Sequence, residues 1–128
     1  MKKEVGLWID HKKAVIVTIS GDSEVITTLA SNVERHQPDL HSSEDVAPED
    51  QRDRRFMDHL SKYYEEVISN IRDAMSILII GPGEAKGEFA KQLKKEGLGA
   101  SIVGVETADK LTDRQIAAIV REHYQPKH

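Results

Sequence analysis

Apolar positions along this chain fall into distinct patterns, and each pattern predicts an element. Ile77-Leu78-Ile79-Ile80 is an unbroken aliphatic run, which needs cover on both faces and so predicts a central parallel strand. Gly81-Pro82-Gly83 ends it, and a helix opening at Glu84 carries the stripe Ala85, Phe89, Leu93. Gly97 and Gly99 precede a second short apolar strand, Ile102 to Val105, which completes a β-α-β unit. Upstream, Val5 to Asp10 and Lys13 to Ser20 are rich in β-branched residues and separated only by His11-Lys12, the pattern of a hairpin. A tight Gly21-Asp22 turn leads into a third strand, Glu24 to Ala30. Its mixture of Thr27 and Thr28 with Val25, Ile26 and Leu29 suits a sheet edge. Phe56, Leu60, Tyr64, Val67, Ile71 and Met75 recur every three or four residues and predict a long amphipathic helix. The last helix opens with the capping box Thr112-Asp113-Arg114-Gln115, buries Ile116, Ile119, Val120 and Tyr124, and is followed by Pro126.

The element order is therefore β-β-β-α-β-α-β-α. Setting the first strand beside the fourth buries both and leaves the third at the edge. The result is a five-stranded mixed sheet of order 3-2-1-4-5 with the second strand antiparallel, reached by right-handed crossovers. That is the order of the α/β, three-layer ribonuclease H-like folds, with residues 1–128 as one domain and Trp8, Ile16, Leu60, Ile71, Ile79, Phe89 and Ile116 in the core. The carboxyl ends of the first, third, fourth and fifth strands then share one edge. That edge collects Asp10 and His11, the start of the loop after the third strand, Gly81-Pro82-Gly83 and Glu106-Thr107. Ligands of open α/β sheets bind at such an edge, where strand order reverses.

Between Ser31 and Asp50 the periodicity disappears into a polar stretch with Pro38, Pro48 and few apolar anchors. Burial there does not offset an ordering cost of about 1–2 kcal/mol per residue. The loop is expected to be mobile in the free protein and ordered against a partner. A formal charge of −4 argues against broad, non-specific wrapping of nucleic acid while leaving room for a local basic patch. The absence of cysteine excludes disulfides, thiolate metal sites and a cysteine nucleophile. The apolar run Val5 to Ile9 is too short for a signal peptide and nothing later approaches a membrane span, so a soluble, cytoplasmic protein is expected.

Four constellations bear on chemistry. Gly81, Gly83 and Gly87 form G-x-G-x-x-x-G between a strand and a helix, with Glu106 at the end of the next strand. The spacing is one residue off the dinucleotide fingerprint, and Glu84 and Glu88 bring negative charge to the phosphate position. A tight strand-to-helix turn is the plainer reading, with a nucleotide-binding module as its rival. Asp10, with Glu106 and Asp109, suggests a metal-dependent phosphodiesterase or nuclease. The fourth strand, however, ends in glycine and proline where a further carboxylate is needed, and an aspartate at a hairpin is commonly a turn former. His36, His41 and His59, with Asp39 and Glu44, match no zinc spacing. No metal or cofactor is expected. Lys86, Lys91, Lys94 and Lys95 make one helix basic, either as a solvated face or as a contact for RNA phosphates.

Trp8-Ile9-Asp10-His11, Ile80-Gly81-Pro82-Gly83 with Lys86 and Glu88-Phe89, and Glu106 to Asp113 with Gln115-Ile116 together carry a family resemblance. The latter two resemble stretches of the central domain of archaeal and eukaryotic class 1 peptide-chain release factors and of Pelota. The first is similar to the opening of small bacterial stand-alone proteins of the translational machinery. The resemblance spans almost the whole chain and implies the same fold. In the release factors the loop after the third strand carries a Gly-Gly-Gln tip that enters the peptidyl-transferase centre. The corresponding stretch here is Ser31 to Arg55, and Gly-Gly-Gln occurs nowhere in the chain. The resemblance thus implies a translation-associated domain that binds the ribosome or RNA without release activity, as Pelota-type proteins act on ribosomes without that tip.

Overall fold

The doubly apolar runs of the first and fourth strands lie side by side at the centre of the sheet. The computed structural model describes residues 3–31 and 49–124, with side chains from 56 onward in the second stretch. In chain order the elements are β1 (Lys3–Ile9), β2 (Lys13–Ser20), β3 (Ser23–Ala30), α1 (Glu49–Ser69), β4 (Ser76–Gly81), α2 (Ala85–Lys95), β5 (Ile102–Thr107) and α3 (Asp113–Tyr124), with a 3-10 turn at Gly99–Ser101. The strands form one sheet of order β3-β2-β1-β4-β5. β1 is antiparallel to β2 and parallel to β4; β2 is antiparallel to β3, and β4 parallel to β5. The ribonuclease H-like order read from the hydrophobic pattern is the one observed.

Alternation along each strand divides the core in two. Val5, Leu7 and Ile9 of β1 and Ile77 and Ile79 of β4 meet Leu60, Tyr63, Tyr64, Val67 and Ile68 of α1 and Phe89, Ala90 and Leu93 of α2. Trp8, Leu78 and Ile80 point the other way, toward Ile116, Ala117 and Val120 of α3. α3 lies so close to β1 that a methyl group on Gly6 would stand 2.3 Å from Val120 Cγ2. All seven residues assigned to the core from sequence are buried.

The periodic stripe of α1 holds at Leu60, Tyr64 and Val67, while Phe56 and Met75 are exposed. The helix starts at Glu49, upstream of the first apolar residue in the stripe, and ends at Ser69. Ile71 is buried from the following turn, where its amide bonds the Ile68 carbonyl at 2.9 Å. β5 runs on to Thr107, and its place at an edge leaves Val103 and Val105 exposed. The capping box closes reciprocally: Thr112 N–H donates to Gln115 Oε1 at 2.9 Å, and Gln115 N–H to Thr112 Oγ1 at 3.1 Å. Ile119 and Tyr124 are half-buried, and the Tyr124 hydroxyl donates to the Val5 carbonyl at 2.7 Å. Most of the expected loop from Ser31 to Asp50 lies outside the described residues, and its last two residues belong to α1. No helix among the described residues is long and apolar enough to cross a membrane.

Candidate functional site

The parallel arrangement of β1, β3, β4 and β5 brings their carboxyl ends to one edge. Its floor is backbone. Gly81 at the end of β4 sits against the Ile9 carbonyl of β1, and the Ala108 amide beyond β5 bonds the Gly81 carbonyl at 3.0 Å. On the β3 side, Ser31 Oγ donates to the His11 carbonyl at 2.7 Å and the Ser31 amide donates to the Lys12 carbonyl at 2.8 Å. Asp10, His11, Ser31, Gly81 and Thr107 thus occupy one rim, as the topology required.

Asp10 is committed to the hairpin. Its Oδ1 accepts the amides of Lys12 and Lys13, each at 2.8 Å, and its own amide bonds the Lys13 carbonyl at 3.0 Å. This is the turn-forming role of an aspartate whose short carboxylate satisfies the backbone of the next residues. Glu106 pairs in register with Ile80, and its side chain is exposed. Asp109 uses its backbone carbonyl to accept the Trp8 indole N–H at 3.0 Å, which satisfies the polar atom of an otherwise buried ring. Among the described residues no three His, Asp or Glu side chains stand close enough to share a metal ion. His36 and His41 lie outside the described residues.

A polar cluster that the sequence pattern did not single out joins this rim to both helices of the first layer. Glu88, in the first turn of α2, accepts a 2.7 Å hydrogen bond from the Tyr64 hydroxyl of α1. The same Oε1 lies 3.0 Å from His11 Nε2, so with its proton on Nε2 the imidazole donates to Glu88. Phe56 packs edge-on against the His11 ring at 5.9 Å, and the Tyr63 hydroxyl donates to the Asp10 carbonyl at 3.1 Å. Burial pushes both phenols well above their ordinary pKa; the Asp10 charge adds to this at Tyr63, and the hydrogen bond to Glu88 adds to it at Tyr64. Both therefore remain neutral donors. The arrangement fixes the orientation of His11 at the rim. In the sequence, Glu88 stood out only as negative charge at the phosphate position of the glycine turn and Tyr64 only as a member of an apolar stripe, so neither flagged the cluster.

Gly81-Pro82-Gly83 makes the strand-to-helix turn, with Gly83 at a φ of 60°. Lys86 folds back over it, its Nζ bonded to the Gly83 carbonyl. Lys91, Lys94 and Lys95 are exposed. At three- and four-residue spacing they form one ridge, opposite Phe89, Ala90 and Leu93, which face the core. Lys86 does not belong to that ridge.

No family model matches the sequence, and no curated protein does. Solved structures do match in shape. Pelota from Thermoplasma acidophilum superposes with a TM-score of 0.64 at 16% identity, over 95% of this chain and 32% of that one. Pelota from Archaeoglobus fulgidus gives 0.58 at 16% identity, over 94% of this chain and 31% of that one. An archaeal translation termination factor gives 0.51 at 13% identity, over 96% of this chain and 39% of that one. The chain thus spans about a third of the length of the structures it matches. What it shares with them is the fold of one domain.

Proposed function

We propose that this domain serves translation as a ribosome- or RNA-binding module and does not hydrolyse peptidyl-tRNA. The reading rests on one observation: nearly the whole chain takes the fold of a domain found in two Pelota proteins and a termination factor. The sequence motifs that resemble the same proteins fall on the rim of that fold. Ile80 to Gly83 close β4, and Glu106 to Asp113 run from β5 into α3. The catalytic tip is a separate matter. In the release factors the Gly-Gly-Gln glutamine positions the attacking water, and Gly-Gly-Gln is absent from this sequence. Recognition remains: the rim around His11 and Gly81 and the lysine ridge of α2 supply polar and cationic groups suited to RNA phosphates and base edges.

Co-sedimentation of purified protein with ribosomes, separated subunits and ribosome-free RNA tests the reading. Saturable pelleting with ribosomes or a subunit, weakened by added salt, is the expected outcome. Protein that stays in the supernatant at low salt with ribosomes and RNA alike would exclude it.

A further inference from the structure

The outer edge of β3 is unusual for a strand that ends a sheet. Edge strands are normally blunted by charge, proline or a bulge, because a free row of amides and carbonyls invites another strand. From Val25 to Ala30 this edge carries no charge and no proline, and its register with β2 runs from Ser23 to Ala30 without interruption. Val25 is 55% exposed and Ile26 41%, so β-branched surface lies open on both faces at once. At the opposite edge, β5 carries Glu106, and its pairing with β4 is broken by a register shift.

Hydrogen-bond parity decides which groups are free. The Ser31 amide bonds inward to Lys12. Antiparallel ladders alternate, so the amides and carbonyls of Ser23, Val25, Thr27 and Leu29 also point inward, and those of Glu24, Ile26, Thr28 and Ala30 point out. Side-chain parity follows from contacts. Glu24 is held by Arg121 of α3 at 2.9 and 3.1 Å, and Leu29 packs toward α1 and α2.

We propose that this edge binds a second copy of the same chain, β3 to β3, antiparallel about a two-fold axis normal to the sheet. Such an axis keeps each face on its own side, so only residues of like parity can stand opposite one another. Centred on Thr27, it places Thr27 against Thr27, Ile26 against Thr28, Val25 against Leu29 and Glu24 against Ala30. The outward amides of Ile26 and Thr28 then meet each other's carbonyls, and those of Glu24 and Ala30 do the same. Threonine and β-branched pairs of this kind stabilise cross-strand contacts. No like charges meet: the only acid in the strand faces alanine and is already paired with Arg121. The contact is isologous and closes on itself, which gives a dimer with one continuous sheet and no fibre.

The native chain has no cysteine, which makes the register directly readable. Directly opposed residues of a non-hydrogen-bonded pair lie within disulfide range. The T27C variant should therefore oxidise to a covalent dimer, and the V25C variant, four residues out of register with itself, should form no interchain disulfide. In a concentration series by sedimentation velocity, the native chain should reach the mass of two chains. Thr28→Pro removes an outward amide without touching the β2 ladder, and Ile26→Lys sets a charge on the edge. Both should remain at one chain while melting as the native protein does. If the proline variant fails to fold, the lysine variant carries the test. A native chain that stays monomeric throughout, folded variants that associate as the native chain does, or equal crosslinking at positions 25 and 27 would each overturn the proposal.

Discussion

Gly81 and Ile9 meet backbone to backbone: a methyl group on the Gly81 α-carbon would lie 2.2 Å from the Ile9 carbonyl oxygen. Neither side of that contact is a flexible side chain, so the two central strands must part to admit even one methyl. Gly81→Ala is expected to cost about 3 kcal/mol, the upper end of overpacking penalties. Gly87 belongs to the same glycine series but sits within α2, where an added methyl meets nothing within 4 Å. Gly87→Ala should accordingly stabilise by about 0.5–1 kcal/mol. Urea unfolding of both variants checks the pair, and a neutral Gly81→Ala would show that the rim has no fixed floor.

That contrast also shows how far the sequence reached. The strand order was legible because Val5 to Ile9 and Ile77 to Ile80 are the runs that need two covered faces, and only their adjacency supplies both. The start of α1 was not, because Glu49 to Arg55 is polar and a helix without an apolar face leaves no periodic signal. The apolar period also continued past the end of α1, so Ile71 read as helical although it is buried from a turn. At the site, topology predicted which residues reach the rim. The hairpin position also marked Asp10 as a turn former, and its carboxylate does take two nearby amides. Topology could not predict that Glu88 turns inward to Tyr64 and His11. That outcome depends on side-chain reach across elements far apart in sequence, which no local pattern encodes.

Glu88 Oε1 serves two partners, so their contributions should be coupled. Tyr64→Phe removes one donor from a half-buried carboxylate and is expected to cost about 1 kcal/mol. His11→Ala removes the other. Because both contacts end on one oxygen, the double variant should depart from the sum of the singles by about 0.5 kcal/mol or more. Chemical denaturation of the four proteins closes the cycle, and strict additivity would mean that the two contacts are independent.

All three tyrosines of the chain are held above their ordinary pKa, chiefly by burial. The sign follows from linkage. Above about pH 10 the unfolded chain loses phenolic protons that the folded chain keeps, so the unfolded state gains and stability falls as pH rises. Below that pH the contribution is fully present. Melting temperature should therefore drop steeply on the alkaline side, and phenolate absorbance should appear together with loss of secondary structure. Reversible titration of the tyrosines near pH 10 in a protein that stays folded would contradict their burial.

Purified protein added to stop-programmed ribosomes carrying peptidyl-tRNA should release no peptide above background. Hydrolysis needs a water positioned to attack the ester. In the release factors the Gly-Gly-Gln tip does that, and this sequence lacks it. Release that scales with added protein and follows it through purification would refute the non-catalytic reading.

The lysine ridge of α2 offers the most quantitative test of nucleic-acid contact. Lys91, Lys94 and Lys95 point away from the face that carries Phe89, Ala90 and Leu93, so they can change without disturbing the core. Replacement by glutamine is preferable to glutamate. Lys94 and Lys95 occupy the last turn of α2, where negative charge would destabilise the helix through its dipole and blur the result. Each lysine on a phosphate releases a counterion, which contributes roughly 0.7–0.9 to the slope of log affinity against log salt. If all three lie in the contact, the triple variant should flatten that slope by about two and weaken binding most at low salt. Lys86→Gln, off the ridge and folded over the glycine turn, should change the slope far less. An unchanged slope in the triple variant, with binding intact, would move the contact from α2 to the rim around His11.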